Sequence, residues 1–322
     1  MRSSVQPAAG RRLTRLIAGT AAATALVAVS ACSTSSGKTE KTADTAPGGG
    51  KVLSVVAAEN FWGSIAAQLG GEHVKVTSII DNPDADPHEY EPTAADGRAV
   101  ATADYVLTNG LGYDAWSDKL LAANPASGRT ALKVGDLIGL KEGDNPHQWY
   151  APASVAKVID QITADYKKAD PADSAYFDAQ RTKFTTETLA PYNKLIADIK
   201  ATYGGTPIGA SESIVSPLAE GLGLKVLTPA SFLNATSEGT DPTAADKSAI
   251  DQQIRGKQIK VYVYNSQNST PDIAAQVDAA KAAGIPVATV TETPAPANVS
   301  FQDWQTTQLL GIADALKQAM GK

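Results

Sequence analysis

The amino-acid sequence predicts an α/β protein of two lobes, each with a mostly parallel sheet flanked by helices, joined by one long rigid helix. Short β-branched segments alternate with helical segments, which is the pattern of parallel α/β packing. This alternation occurs twice, and a long stretch without a strand pattern separates the two sets. The chain of 322 residues is long enough for two such lobes.

The first 31 residues have the pattern of an export signal. A basic start containing Arg11 and Arg12 precedes an apolar stretch over residues 16–29, and small residues follow before Cys32. The apolar stretch is shorter than the ~20 residues that a transmembrane helix needs, and no later segment is long and apolar enough to span a bilayer. Residues 1–31 are therefore predicted to be a signal peptide, and the arginine pair leaves Sec and twin-arginine export both open.

Cys32 is the only cysteine in the chain, which excludes an intramolecular disulfide. Its position after Val-Ser-Ala resembles the lipobox of bacterial lipoproteins, in which the cysteine is acylated after cleavage. The following residues up to Gly50 are small and polar and cannot form a core. Residues 32–50 are therefore predicted to be a lipidated cysteine and a flexible tether, which places the protein on the outer face of the cytoplasmic membrane.

Each predicted lobe contains four strands. In the N-terminal lobe, residues 51–172, the strand patterns cover residues 52–57, 74–80, 105–107 and 131–134. In the C-terminal lobe, residues 204–322, they cover residues 207–210, 225–227, 260–264 and 286–290, with helices over 271–283 and 306–320.

Residues 173–203 are predicted to be the helix that links the lobes. Their apolar side chains recur near helical spacing, and no strand pattern interrupts them. Pro191 is expected to kink this helix, and the Gly204-Gly205 pair is expected to end it. A helical connection indicates a rigid frame rather than a flexible hinge.

The charge of the chain excludes some classes of partner. The formal net charge is -6, and removal of the four arginines of residues 1–31, which contain no acidic residue, makes it -10. Such a surface argues against binding to nucleic acid or anionic lipid.

Two of the three histidines lie in loops rich in proline and polar residues. His88 follows Pro87, and His147 follows Pro146, so a proline fixes the backbone before each imidazole. A neutral imidazole on a constrained loop is a preorganised ligand for zinc, manganese or iron. The third histidine, His73, is expected at the surface near the start of a strand.

The segments around these histidines resemble a known family. The run Pro83-Asp84-Ala85-Asp86-Pro87-His88-Glu89-Tyr90-Glu91-Pro92 resembles the first metal-binding loop of the metal-specific solute-binding lipoproteins of bacterial ABC transporters, the zinc-uptake component A and manganese-binding family. Residues 104–113 are similar to the next strand and turn of that family, and residues 146–149 to its second histidine loop. Tyr150-Ala151-Pro152 stands where relatives commonly have leucine, aspartate and proline.

The resemblance implies two further ligands in the second lobe. Glu212 follows a predicted strand where the family places its third ligand, and Glu292 follows the last strand, where many relatives have aspartate. The resemblance therefore implies a metal ion held by His88, His147, Glu212 and Glu292 in the cleft between the lobes. It further implies a monomeric binding protein that delivers its ion to an ABC permease and ATPase.

The donor set indicates which metal to expect. Two nitrogen and two carboxylate ligands suit manganese or iron, whereas the general affinity order favours zinc over manganese. The segment between Val134 and Pro146 also lacks the histidine-rich loop of many zinc-specific relatives. The order of expectation is therefore Mn²⁺, then Zn²⁺, then Fe²⁺.

The residues leave other classes of function open. An exported metalloenzyme would need an open coordination position and a placed base, and the sequence contains no His-Glu-x-x-His, Gly-x-Ser-x-Gly or phosphate-loop motif. A surface adhesin with a structural metal is a further alternative, as is a protein that binds an organic ligand or metal chelate, which would need a roomier cleft. The expected function is metal binding without enzymatic activity.

Overall fold

The computed structural model describes residues 50–321, and the structural statements below concern that part of the chain. The predicted signal peptide, Cys32 and the tether before Gly50 lie outside the described residues. In the described part, no helix is both long and apolar enough to cross a membrane. The predicted boundaries between lobes and linking helix stay predictions.

Two four-stranded parallel sheets form the centres of the two lobes. The first contains β1 (Leu53–Glu59), β2 (Val74–Ile80), β3 (Tyr105–Thr108) and β4 (Thr130–Lys133). The second contains β5 (Pro207–Ala210), β6 (Lys225–Val226), β7 (Val261–Asn265) and β8 (Val287–Val290). The strand orders are β2-β1-β3-β4 and β6-β5-β7-β8, so the two lobes repeat one topology. The predicted α/β fold is confirmed, and each predicted strand lies within two residues of an observed one.

Helices flank both sheets. The N-terminal lobe contains α1 (Asn60–Gly70), α2 (Ala94–Thr102), α3 (Ala115–Ala123), α4 (Val134–Ile138) and α5 (Pro152–Ala169). The linking segment contains α6 (Ser174–Lys183) and α7 (Ala190–Tyr203). The C-terminal lobe contains α8 (Val215–Gly221), α9 (Ala230–Ser237), α10 (Ala244–Arg255), α11 (Pro271–Ala282) and α12 (Phe301–Met320).

Several of these helices begin at capping residues. Thr93, Thr243, Thr270 and Ser300 each accept a hydrogen bond from a backbone N–H of the first turn, which satisfies a donor that the helix leaves without a partner. The cap at Ser300 starts α12 five residues earlier than the closing helix predicted from residue 306.

The linking segment is helical throughout, but it is not one uninterrupted α-helix. A π-helical turn over Phe184–Thr188 joins α6 to α7. Pro191 lies just beyond it and has no N–H for the carbonyl of Glu187, which its ring would also crowd in a regular α-helix. The wider turn accommodates this proline, and Leu189 N donates to Phe184 O at 2.8 Å. The expected kink therefore takes the form of a π-helical turn before the proline.

One hydrophobic core runs through both lobes. Phe61 of α1 stacks on Trp149 with ring centroids 4.1 Å apart, and Tyr150 lies 5.7 Å from Trp304 of α12. All four side chains are buried, and burying a large apolar side chain stabilises a fold by about 2 kcal/mol. Phe301 N at the start of α12 also donates to the Ser64 hydroxyl of α1. The two lobes therefore share packed aromatic contacts at the base of the cleft.

Candidate metal centre

The four predicted ligands lie on loops beyond the carboxyl ends of parallel strands. His88 follows β2, His147 follows β4 and α4, Glu212 follows β5, and Glu292 follows β8. In open parallel sheets, ligands bind in the crevice outside the carboxyl ends of the strands. The topology thus brings residues far apart in sequence to the same cleft.

The first loop presents a partly exposed imidazole from a fixed backbone. The Trp116 indole donates to Pro87 O at 3.0 Å, and His88 N donates to a carboxylate oxygen of Asp86 at 2.8 Å. The His88 ring meets the ring of Tyr113 edge to face, with centroids 4.7 Å apart. About a third of the His88 side chain, 35 %, remains exposed, so this ligand faces the mouth of the cleft.

The second loop presents a buried imidazole with a defined tautomer. His147 Nδ1 lies 2.9 Å from Asn145 Oδ1, while the Asn145 amide nitrogen donates to Ser213 O at 2.8 Å. The second contact fixes the amide orientation, and because the amide oxygen only accepts, His147 Nδ1 carries the proton. The lone pair on His147 Nε2 is therefore free for a metal ion. The side-chain amide of Asn109 also fixes the loop by donating a hydrogen bond to Pro146 O at 3.0 Å.

Both imidazoles converge on one carboxylate oxygen. Nε2 of His88 and Nε2 of His147 each lie 3.8 Å from Oε1 of Glu292. Two ligands of one tetrahedral ion, each about 2.1 Å from it, lie about 3.4 Å apart. The two observed separations are a few tenths of an ångström longer. The three atoms do not all lie within 4.8 Å of one another, so the two histidine loops must move closer together before one ion can touch all three.

Glu212 lies in the same cleft and, like Glu292, follows a strand of the second sheet. Its side chain is buried, with 1 % of the residue exposed. Its Oε2 accepts from Asn268 at 3.3 Å and from Ser237 at 3.5 Å. Asn265 donates to Oε2 of Glu292 at 3.4 Å. Within the described residues, the Oε1 atoms of Glu212 and Glu292 are buried without a hydrogen-bond partner. Two orphaned carboxylate oxygens beside two imidazoles are the donor chemistry that a divalent transition metal requires.

The two carboxylates have opposite protonation tendencies. Burial, followed by the negative charge of Glu292, raises the pKa of Glu212 to about 8. Burial also acts to raise the pKa of Glu292, but the neighbouring imidazoles, first His147 and then His88, outweigh it and hold that pKa below its usual value. At neutral pH the metal-free cleft therefore has one ionised carboxylate and one proton on Glu212.

The cleft opens to solvent through a cavity of about 460 Å³. His88, Glu212 and Glu292 line it together with Asp84, Asp86 and Asn268. Polar side chains and carboxylates dominate this lining, which suits a small hydrated cation better than an organic ligand.

Gln267 closes one side of the cleft and was not singled out from the sequence. Its Oε1 accepts from the backbone N–H groups of Glu292 and Thr293 at 2.7 and 3.0 Å. Its amide nitrogen donates to Pro83 O of the first loop at 2.9 Å. One side chain therefore ties the loop of the last ligand to the loop of the first.

Sequence reasoning did not single out Asn145, whose side chain orients the imidazole of His147. The expectation for His73 was wrong: it is 4 % exposed, and its Nδ1 lies 2.9 Å from a carboxylate oxygen of Asp173. An asparagine two residues before a histidine in Asn-Pro-His is a local signal that could have identified Asn145, since Asx side chains bond the backbone two residues on.

Two lobes with parallel sheets meet at a cleft that is lined by imidazoles and carboxylates. This arrangement is that of the metal-binding solute-binding proteins. The family model described as zinc-uptake complex component A, periplasmic, matches residues 55–315. The chain belongs to this family. This confirms the family to which the sequence was similar, and it confirms the predicted class of function, a metal-binding component of ABC transport.

Curated relatives carry consistent names. The chain is 28% identical over 242 residues to the manganese-binding lipoprotein MntA of Bacillus subtilis, covering 72% of this chain and 77% of that protein. It is 26% identical over 268 residues to the manganese ABC transporter substrate-binding lipoprotein PsaA of Streptococcus anginosus, covering 76% and 80%. A shorter match, 32% identical over 127 residues, spans 38% of this chain and 41% of MntA of Halalkalibacterium halodurans. All three relatives are named as manganese-binding or substrate-binding lipoproteins, and the name of PsaA assigns it to an ABC transporter.

Solved structures share the fold. A manganese-bound mutant of a periplasmic metal-binding protein from Candidatus Liberibacter asiaticus superposes with a TM-score of 0.69 at 21% identity, covering 81% of this chain and 98% of that one. A mutant of the laminin-binding adhesin Lmb of Streptococcus agalactiae gives 0.67 at 19% identity, covering 82% and 100%. At these identities the likeness establishes the fold alone.

Proposed function

We propose that this protein binds one divalent transition-metal ion through His88, His147, Glu212 and Glu292 and delivers it to an ABC permease and its ATPase for import. The observation that carries the proposal is the convergence of two imidazole Nε2 atoms on one oxygen of Glu292, each at 3.8 Å. Family membership and the names of the relatives support the transport role.

Manganese is the proposed cargo, with zinc next and iron third. Two carboxylates supply up to four oxygen donors, and oxygen-rich sites suit Mn²⁺. Relatives named for manganese, for zinc and for iron all match this chain, so the donor set rather than the family supports the order.

The proposed location is the outer face of the cytoplasmic membrane. The protein would be exported, cleaved before Cys32, lipidated at that residue and monomeric. The names of the relatives as lipoproteins support the anchor. Replacing Cys32 by alanine should move the protein from the membrane fraction to the soluble extracytoplasmic fraction while metal binding by the folded domain persists.

Metal analysis of the chelator-stripped protein tests the proposed site. The protein is equilibrated with equal Mn²⁺, Zn²⁺ and Fe²⁺ under anaerobic conditions and compared with Glu212→Gln and with the control Glu220→Gln, which changes an exposed carboxylate on α8. The parent and the control should retain an ion that Glu212→Gln loses. Equal metal content in all three proteins would contradict the ligand assignment.

A second competition, with zinc held at a low free concentration, tests which metal the cleft prefers. A cleft built for manganese should retain Mn²⁺ when zinc is buffered to a low free concentration, because zinc otherwise wins by the general affinity order. Retention of zinc alone under these conditions would contradict the proposed cargo while leaving the ligand set in place.

A further inference from the structure

A second cluster of metal-ligating side chains lies away from the cleft, where the N-terminal lobe meets the linking segment. It consists of His73, Asp170 and Asp173, and one ligating atom of each lies within 4.8 Å of the others. His73 ends the short 3₁₀ turn after α1, and the two aspartates flank the 3₁₀ turn Pro171–Asp173 between α5 and α6. None of these residues lines the cavity between the lobes.

The imidazole of His73 is held in place by aromatic side chains. The rings of His73 and Tyr176 have centroids 4.0 Å apart, and Phe177 approaches from the edge at 6.0 Å. His73 Nδ1 points to Asp173, whose oxygen is 2.9 Å away. Two ligands at right angles around one ion, each about 2.1 Å from it, lie about 3.0 Å apart. The separation therefore fits neighbouring ligands of an octahedral ion without rearrangement.

Asp170 supplies the independent observation that points to a cation. This residue is 8 % exposed, and in the described part of the chain its Oδ2 is buried without a hydrogen-bond partner. It lies directly after the last residue of α5, where the helix dipole places partial negative charge. A buried carboxylate oxygen at a negative helix end is unfavourable unless a cation compensates it.

Gly50 passes close to both carboxylates of the cluster. A Cβ atom built on Gly50 would lie 2.5 Å from Oδ2 of Asp173 and 2.9 Å from Oδ2 of Asp170. The two oxygens therefore converge on the same point next to Gly50, and only a residue without a side chain lets the chain pass this close.

We propose that His73, Asp170 and Asp173 form a second site for a divalent transition-metal ion, distinct from the cleft between the lobes. One imidazole and two carboxylates are donors that suit Mn²⁺, and Zn²⁺ can use the same donors. The ion would connect the end of α1 to the junction of α5 and α6.

The test removes the cleft ligands and then counts the metal that remains. The variant His88→Ala/His147→Gln is stripped with chelator and titrated with Mn²⁺ in equilibrium dialysis, with bound metal measured by mass spectrometry. It should bind one saturable equivalent, and adding Asp170→Asn should abolish that equivalent. Adding Asp178→Asn instead, a change to an exposed carboxylate of α6 that pairs with Lys167, should leave it intact.

A second measurement needs no substitution in the proposed site. Because the chain has three histidines, the cleft variant retains only His73, and its imidazole nitrogen signals can be assigned without ambiguity. Adding diamagnetic Zn²⁺ should shift the Nδ1 signal of His73 in proportion to bound metal. An unchanged signal would show that the contact with Asp173 is a hydrogen bond only.

The outcomes separate this proposal from the proposed function. Two equivalents in the parent, one in the cleft variant and none after Asp170→Asn support both sites. One equivalent in the parent and none in the cleft variant overturns the second site and supports the first. One bound equivalent in both the parent and the cleft variant, lost when Asp170→Asn is added, supports the second site and contradicts the first.

Discussion

Replacing Glu212 by glutamine should lower metal affinity while stabilising the metal-free fold. Burial and the charge of Glu292 raise the pKa of Glu212 to about 8 from 4.5. Between these two pH values the folded protein holds a proton that the unfolded chain has released. Such a group contributes its whole stabilising free energy at a pH below its pKa in the unfolded chain. This contribution is lost as the pH rises through its pKa in the folded protein. At pH 7 the loss is about 3 kcal/mol.

Glutamine keeps the size of Glu212 and has no charge to desolvate. The metal-free Glu212→Gln variant should therefore be more stable than the metal-free parent by about 1–3 kcal/mol at pH 7. The gain should shrink towards pH 5 and level off above pH 8. Metal affinity should fall at least about 100-fold, because one charged ligand is lost.

Urea unfolding of the chelator-stripped proteins at pH 5, 7 and 8.5 measures the stability difference, with the fluorescence of the four tryptophans as the signal. Calorimetric titration with Mn²⁺ measures the affinity. Glu220→Gln is the matched control and should change neither quantity. A metal-free Glu212→Gln variant that is less stable than the parent at pH 8.5, or a gain independent of pH, would refute the reasoning.

Three further predictions concern the same cleft. The metal affinity of the parent should rise by up to about tenfold per pH unit until about pH 8 and then level off, because metal binding displaces the proton of Glu212. Calorimetric titrations from pH 6 to 8 measure this, and an affinity independent of pH would contradict it. Gln267→Ala should weaken binding about 10–100-fold and speed dissociation, measured by stopped-flow chelator competition. The reason is that the amide of Gln267 would no longer donate to Pro83 O or accept from the backbone N–H groups of Glu292 and Thr293. Asn145→Ala should weaken metal binding about tenfold, because the proton of His147 is then no longer held on Nδ1, and Asn145→Asp should restore the affinity. Equal affinities in the two variants would exclude this orienting role.

The strands and the two histidine loops could be predicted because their signals are local. The strands predicted at residues 74–80 and 207–210 coincide with β2 and β5, and a proline next to each loop histidine marks a fixed backbone. The placement of Glu212 and Glu292 came from the resemblance to a family, since a glutamate in a loop has no local signature of a ligand.

The parts that the sequence did not reveal depend on distant contacts. Gln267 bonds to Pro83, 184 residues away, and His73 meets Asp173 across 100 residues, so no window of neighbouring residues shows either contact. The π-helical turn is a different case. Pro191 predicts a disturbance of the helix, but whether the chain bends or widens depends on how both ends pack.

The unequal exposure of the ligands has a consequence for unloading. The imidazole of His88 lies at the mouth of the cleft, whereas the side chains of His147 and Glu212 are almost inaccessible, and the lobes share aromatic packing through Tyr150 and Trp304. In the proposed site, a receptor at the outer rim would meet His88 before the other ligands. Release of the ion would then begin at His88, and His147 and Glu212 would hold the ion until that first contact has broken.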